Sequence, residues 1–148
     1  MNYFEEIGRN YIFWTAAAAW LIAQTIKVAL GAFREKRFNF KWFIVTGGMP
    51  SSHVACVASL ATSIGVTYGF DSAIFALSAV FAFIVMFDAQ GVRRSSGRQA
   101  KLLNKILDDI YWKKKMDDKK VMEFLGHTPV EVLAGAALGI VVSLLLYK

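Results

Sequence analysis

Apolar residues in this chain fall into long blocks with polar and charged residues between them, and the longest blocks match the length of membrane spans. The first is Tyr11–Phe33. At about 1.5 Å per residue its 23 residues cover the hydrocarbon core of a bilayer with some tilt. Tyr11, Phe13 and Trp14 lie near its start, and it also contains Gln24, Thr25 and Lys27. The second span runs from His53 to about Phe70. It is short and carries Ser59, Thr62, Ser63 and Gly65, small and hydroxyl residues that let helices approach closely in lipid. Phe70-Asp71-Ser72 then predicts a tight turn with an N-cap for a third span, about Ala73–Phe87, again short and strongly apolar. The last span is announced by Gly126-His127-Thr128-Pro129-Val130-Glu131 and continues to Tyr147. Thr128 is a good N-cap, Pro129 fits the first helical position and Glu131 completes a capping box. Gly135 and Gly139 give this helix a small face for tight contact.

Between the third and fourth spans, Leu102, Leu103, Ile106, Leu107 and Ile110 recur at helical spacing, opposite Lys101, Asn104, Lys105 and Asp108. This predicts an amphipathic helix on the membrane surface or against the bundle. Lys113-Lys114-Lys115 and Lys119-Lys120, around Asp117-Asp118, read as a solvated loop, with attraction to anionic lipid headgroups as the alternative. The expected architecture is therefore all-α. It is a single membrane-embedded domain over residues 1–148, with four transmembrane helices (about 11–33, 53–70, 73–87 and 129–147) and one amphipathic helix.

Composition supports this reading and charge orients it. The chain is 56% hydrophobic, above the usual apolar share of a soluble domain. The two loops 34–52 and 88–127, which four spans put on one side, hold 14 of the 17 basic residues. The positive-inside rule makes those loops cytoplasmic and puts both termini outside. The N-terminus carries Glu5 and Glu6 and lacks a basic start followed by a small-residue cleavage site, so the first span is expected to be a retained helix. The single cysteine, Cys56, lies in an apolar helix, allows no disulfide framework and reads as a small core residue.

The candidate chemistry begins at Gly47-Gly48-Met49-Pro50-Ser51-Ser52-His53, where a basic segment meets an apolar one. Two glycines and a proline exclude a regular helix through it. A Pro-Ser-Ser-His turn opening a helix directs backbone N–H groups, hydroxyls and a titratable ring at one point, which suits an anion such as phosphate. The plainer reading makes Ser51 or Ser52 an N-cap and His53 a polar residue at the interface. Lys27 has two readings as well: a cation facing a polar interior, or one that snorkels from six residues inside the end of its span.

The charged and hydroxyl groups expected at this membrane face are Lys27, Arg34, Ser51, Ser52, His53, Asp88, Arg93, Arg94, His127 and Glu131. Both histidines of the chain are among them. His127 and Glu131 are four apart, so a helix extending back to His127 would put them on one face, with the carboxylate holding the imidazole in one tautomer. One histidine as nucleophile, a second as proton donor and a set of cations make a sensible phosphoryl-transfer site. No metal or other cofactor is expected, and no cluster has metal-ligand spacing.

These residues resemble the motifs of the type 2 phosphatidic acid phosphatase superfamily, which also includes vanadium haloperoxidases, and in particular its short divergent bacterial branch. Lys27 and Arg34 have the spacing of the first motif, with Glu35 where proline is usual. Pro50-Ser51-Ser52-His53 matches Pro-Ser-Gly-His at three of four positions. His127 and Glu131 match the end of the third motif, with Glu for Asp, and Lys120-Val121 stands where that motif has Ser-Arg. Asp88-Ala89-Gln90-Gly91-Val92-Arg93-Arg94 also looks characteristic of the divergent branch.

The resemblance implies hydrolysis of a lipid phosphomonoester or diphosphate. His127 would attack phosphorus to form a phosphohistidine, Glu131 would orient it, and His53 would protonate the leaving oxygen and then activate water. Lys27, Arg34, Ser51 and Ser52 would hold the phosphate, with Arg93 or Arg94 in place of the missing arginine. The expected partners are the bilayer and a lipid phosphate, with no nucleic acid. The short second and third spans, with glycine on the fourth, also suit packing against copies of the chain. A non-catalytic lipid-phosphate binder and a subunit of a transport assembly are the alternatives.

Overall fold

The computed structural model describes residues 2–36, 48–91, 99–100, 102–106 and 127–147. Five helices organise them: α1 (Tyr3–Arg9), α2 (Tyr11–Glu35), α3 (Ser52–Tyr68), α4 (Ala73–Gln90) and α5 (Pro129–Leu146). No strand occurs among the described residues. The chain is an all-α, polytopic membrane protein, as the hydrophobic blocks predict.

Helix boundaries follow from local chemistry. Asn10 closes α1, and its side chain accepts the Phe13 N–H at 3.0 Å to open α2. Trp14 Nε1 donates back to the Ile7 carbonyl at 3.0 Å, fixing the angle between the two helices. The α3–α4 turn is tied by Ser72, which donates to the Gly69 carbonyl at 2.7 Å and accepts the Phe75 N–H at 3.2 Å. Gly69 ends α3 at φ +91°, a conformation that favours glycine. The predicted N-cap of the third span is thus Ser72. At α5 both halves of the predicted capping box form, with Pro129 in the first turn.

The spans differ in length, as expected of the short second span. Three helices are long and apolar enough to cross a membrane: Tyr11–Phe33, Ala73–Gln90 and Pro129–Leu146. Helix α4 extends three residues past its predicted end at Phe87. Helix α3 has 17 residues, about 25 Å at the α-helical rise, and is the central helix, packed on α2, α4 and α5. Its neighbours shield it from lipid, which accounts for its small and hydroxyl-bearing composition.

The interior is correspondingly built from small residues. Ala16, Ala19 and Ala23 of α2 are buried together with Ala55, Ala58, Ser59 and Ser63 of α3. A Cβ added at Gly135 would lie 2.5 Å from the Ser51 carbonyl oxygen, and one at Gly139 would overlap the Ala55 carbonyl oxygen. The predicted small face of α5 therefore meets α3 backbone to backbone. Buried hydroxyls are satisfied within the bundle: Ser63 and Ser143 bond at 2.6 Å, and Ser59 donates to the Thr15 carbonyl at 3.4 Å.

The predicted amphipathic helix is described at residues 99–100 and 102–106, which are helical. Leu102, Leu103 and Ile106 are exposed, whereas Ala100 and Asn104 are buried. Among the described residues the leucine face is turned outward, which agrees with the membrane-surface alternative. Leu107, Asp108, Ile110 and the lysine runs lie outside the described residues.

Candidate functional site

The first turn of α5 sets the geometry. Pro129 has no N–H to leave unsatisfied, and Thr128 and Glu131 close the capping box around it. The helix starts at Pro129, as its cap signals predict, so the condition for a shared helix face is not met and His127 precedes the cap residue. Its N–H donates to the Ala89 carbonyl near the end of α4 at 3.1 Å, which holds it in place from a second helix. The contact with Glu131 still forms, His127 Nδ1 to Oε2 at 3.2 Å, because the glutamate reaches back toward the cap.

That one oxygen, Glu131 Oε2, also accepts the Thr128 N–H at 2.9 Å. An ionised carboxylate can only accept, so this contact places the His127 proton on Nδ1. The side chain of His127 is 2% exposed, and its orientation is fixed at both ends. Glutamate in place of aspartate acquires a reason here: its extra methylene lets it bond the imidazole and cap the helix with the same carboxylate.

The turn before α3 docks on this element. Ser51 N–H donates to the Glu131 carbonyl at 3.1 Å. Ser51 occupies the N-cap position and its carbonyl accepts the Ala55 N–H at 3.0 Å, but its side chain makes no cap bond. The plain N-cap reading of Ser51 is therefore incorrect for its hydroxyl. Oγ of Ser51 is completely buried and has no hydrogen-bond partner among the described residues. Ser52 is buried beside it and His53 is half-buried in the same first turn of α3. Unlike α5, whose own Glu131 fills the cap, α3 presents an N-terminal turn free of any side-chain cap.

Lys27 completes the described cluster. Its Nζ donates to Gln24 Oε1 at 3.1 Å, and the Glu131 carboxylate acts on it electrostatically. Gly48, at φ +88°, lies over the lysine stem: a Cβ there would sit 3.5 Å from Lys27 Cγ. The hydrogen bond runs to a residue one helical turn back along α2, which favours a cation held at the site over one that snorkels toward the helix end.

The structure thus brings together Lys27, Ser51, His127 and Glu131, with Ser52 and His53 on the adjoining turn. Arg34 lies in the last turn of α2, and its side chain falls outside what is described. Arg93 and Arg94 lie outside the described residues. Sequence reasoning placed Gln24 in the first span without a role and left out the Ala89 carbonyl. The i, i+3 spacing of Gln24 and Lys27 was the available signal for the first; a backbone anchor leaves none. Among the described residues no group of three or more His, Cys, Asp or Glu side chains converges on a metal-sized site.

A membrane bundle carrying a histidine–carboxylate pair beside an uncapped helix start defines the class, and family comparison agrees with it. Residues 8–142 match the model of the Divergent PAP2 family, and the chain belongs to that family. It is similar to a Bacillus subtilis (strain 168) protein described as "Uncharacterized membrane protein YuiD", with 40% identity over 152 residues, 95% of this chain and 96% of that protein. No solved structure matches the chain.

Proposed function

We propose that this protein is a metal-independent phosphohydrolase acting on a lipid phosphomonoester or diphosphate. The observation that carries the reading is the buried Ser51 hydroxyl, without a partner among the described residues, at an uncapped helix N-terminus tied by one hydrogen bond to the element that holds His127. A buried hydroxyl without a partner costs stability unless something accepts from it, and a phosphate oxygen is the natural acceptor at a helix start.

In this reading the Lys27 ammonium, the Ser51 hydroxyl and the first N–H groups of α3 bind the phosphate, with Ser52, Arg34 and Arg93 or Arg94 contributing. His127 Nε2 attacks phosphorus, and the bond from phosphorus to the leaving oxygen breaks. Glu131 stabilises the positive charge that develops on the ring. His53 gives its proton to the leaving lipid oxygen. It then takes a proton from the water that attacks the phosphohistidine, releasing inorganic phosphate and restoring both histidines. A lipid substrate suits a site at the end of membrane helices, where a headgroup enters with its tails still in the bilayer. The basic loops make that end cytoplasmic in this proposal.

A second reading, a lipid-phosphate binder without turnover, is favoured by Lys120-Val121 at the place of the Ser-Arg pair. One experiment separates the two. Phosphate release by purified protein in detergent is measured on phosphatidic acid, phosphatidylglycerol phosphate and polyprenyl diphosphate without added metal, alongside His127→Ala. Turnover that disappears in the variant is the expected result. A folded protein that releases no phosphate from any of the three overturns the hydrolase and leaves the binder.

A further inference from the structure

We infer that Gln24 is the positioning residue of the anion site, holding the Lys27 ammonium with a neutral acceptor; this rests on the phosphate-site reading above. Lys27 is the cation whose side chain the structure places within the cluster, so its position governs how an anion meets the site. Three observations fix that position. Nζ donates to Gln24 Oε1 at 3.1 Å. Gly48 covers the aliphatic stem, and its lack of a Cβ keeps the turn close to it. Gln24 itself is 3% exposed, a burial that an amide in a membrane helix tolerates only when its polar atoms are engaged.

The chemistry of the acceptor matters as much as its place. An amide oxygen bonds one ammonium proton and leaves the positive charge and the other protons for a ligand. A carboxylate at the same position would bond equally well but neutralise the charge that an anion needs. An apolar side chain would release the ammonium, which would then be drawn along α2 toward the interface. Position 24 therefore sets both where the cation sits and how much of its charge a phosphate encounters.

The test is a double-mutant cycle read by orthovanadate affinity, by calorimetry on the full chain in detergent, with the melting temperature of every variant recorded. Gln24→Met should weaken vanadate about tenfold, the range expected for losing a hydrogen bond to a charged group. Lys27→Met should weaken it at least as much, and the double variant should be no worse than Lys27→Met alone. Gln24→Glu, which keeps size and hydrogen bonding, should also weaken vanadate about tenfold while leaving the melting temperature unchanged.

Additive losses in the cycle would mean that Gln24 does not act through Lys27 and would overturn the inference. Wild-type affinity in both Gln24 variants would do the same while leaving the phosphate site standing. If the unsubstituted protein binds no vanadate, the phosphate-site reading fails and this inference falls with it.

Discussion

Glu131 performs two tasks with one carboxylate oxygen, and substitution can pull them apart. Its Oε2 bonds Thr128 N–H as a helix cap and His127 Nδ1 as an orienting acceptor. Glu131→Gln keeps an acceptor of nearly the same shape but removes the charge. At the observed 3.2 Å, a full imidazolium beside a carboxylate gains about 5 kcal/mol at an effective dielectric of 20. In the proposed mechanism the ring acquires roughly half of that charge at the transition state of the attack on phosphorus. The variant should therefore lose about 2–3 kcal/mol of stabilisation, or about a hundredfold in turnover. Its stability should change by no more than about 0.5 kcal/mol, because the amide oxygen still caps the helix. Glu131→Ala should lose the turnover and also about 1 kcal/mol of stability, a drop of about 3 °C in melting temperature. Phosphate release and thermal unfolding, measured on the same detergent samples, test both statements. If Glu131→Gln turns over like the unsubstituted protein while Glu131→Ala only melts earlier, the carboxylate is a cap and the orienting role is wrong.

Other predictions concern packing, polar pairing, charge and orientation. Gly139→Ala should destabilise by about 2 kcal/mol net in thermal unfolding by circular dichroism, because the clash with the Ala55 carbonyl outweighs the gain in helix propensity. Gly8→Ala, which meets nothing within 4 Å, should be neutral or slightly stabilising, and equal effects at the two sites would refute the close approach of α5 and α3. Ser63→Ala and Ser143→Ala should each cost about 1 kcal/mol, with the double variant costing less than the sum; strict additivity would mean the 2.6 Å pair contributes nothing. Arg93→Ala or Arg94→Ala should weaken vanadate binding about tenfold, and unchanged affinity in both would remove the substitute-arginine assignment. A cysteine placed at Lys114, with Cys56 replaced by serine, should resist labelling from outside intact cells; efficient labelling would reverse the proposed orientation.

The parts of the fold written in local sequence were readable from it. Tyr11–Phe33 is apolar over the whole required length, and Thr128, Pro129 and Glu131 specify a helix start by side-chain chemistry alone. The character of α3 was harder to read, since a helix sheltered by three neighbours and a weak membrane span have the same composition. For residues 102–106 the sequence left two settings open, the membrane surface or the bundle, and the exposure of Leu102, Leu103 and Ile106 agrees with the first. Helical periodicity identifies an apolar face but does not say whether protein or lipid covers it.

At the site, the spacing of His127 and Glu131 announced a contact that the fold realises by a different route, through the cap instead of a continuous helix face. The idle Ser51 hydroxyl could not be foreseen, because a serine at a helix start ordinarily caps. Its backbone is instead committed to Glu131, a pairing across 80 residues that no local pattern encodes.

The shortness of α3 also bears on how the protein is made. With 17 residues and several hydroxyls, it is a weak candidate to enter a bilayer alone. The strongly apolar α4 follows directly, across the turn that Ser72 ties. The two helices are therefore suited to partition into the membrane together as a hairpin, the second arm carrying the first. Until α5 emerges from the ribosome, the surface that will receive Gly135 and Gly139 stays uncovered, and Ser63 lacks its Ser143 partner. Since α5 also brings Glu131, with His127 directly ahead of its cap, completion of the bundle and assembly of the site are one event in biogenesis, and a chain truncated before His127 would lack both.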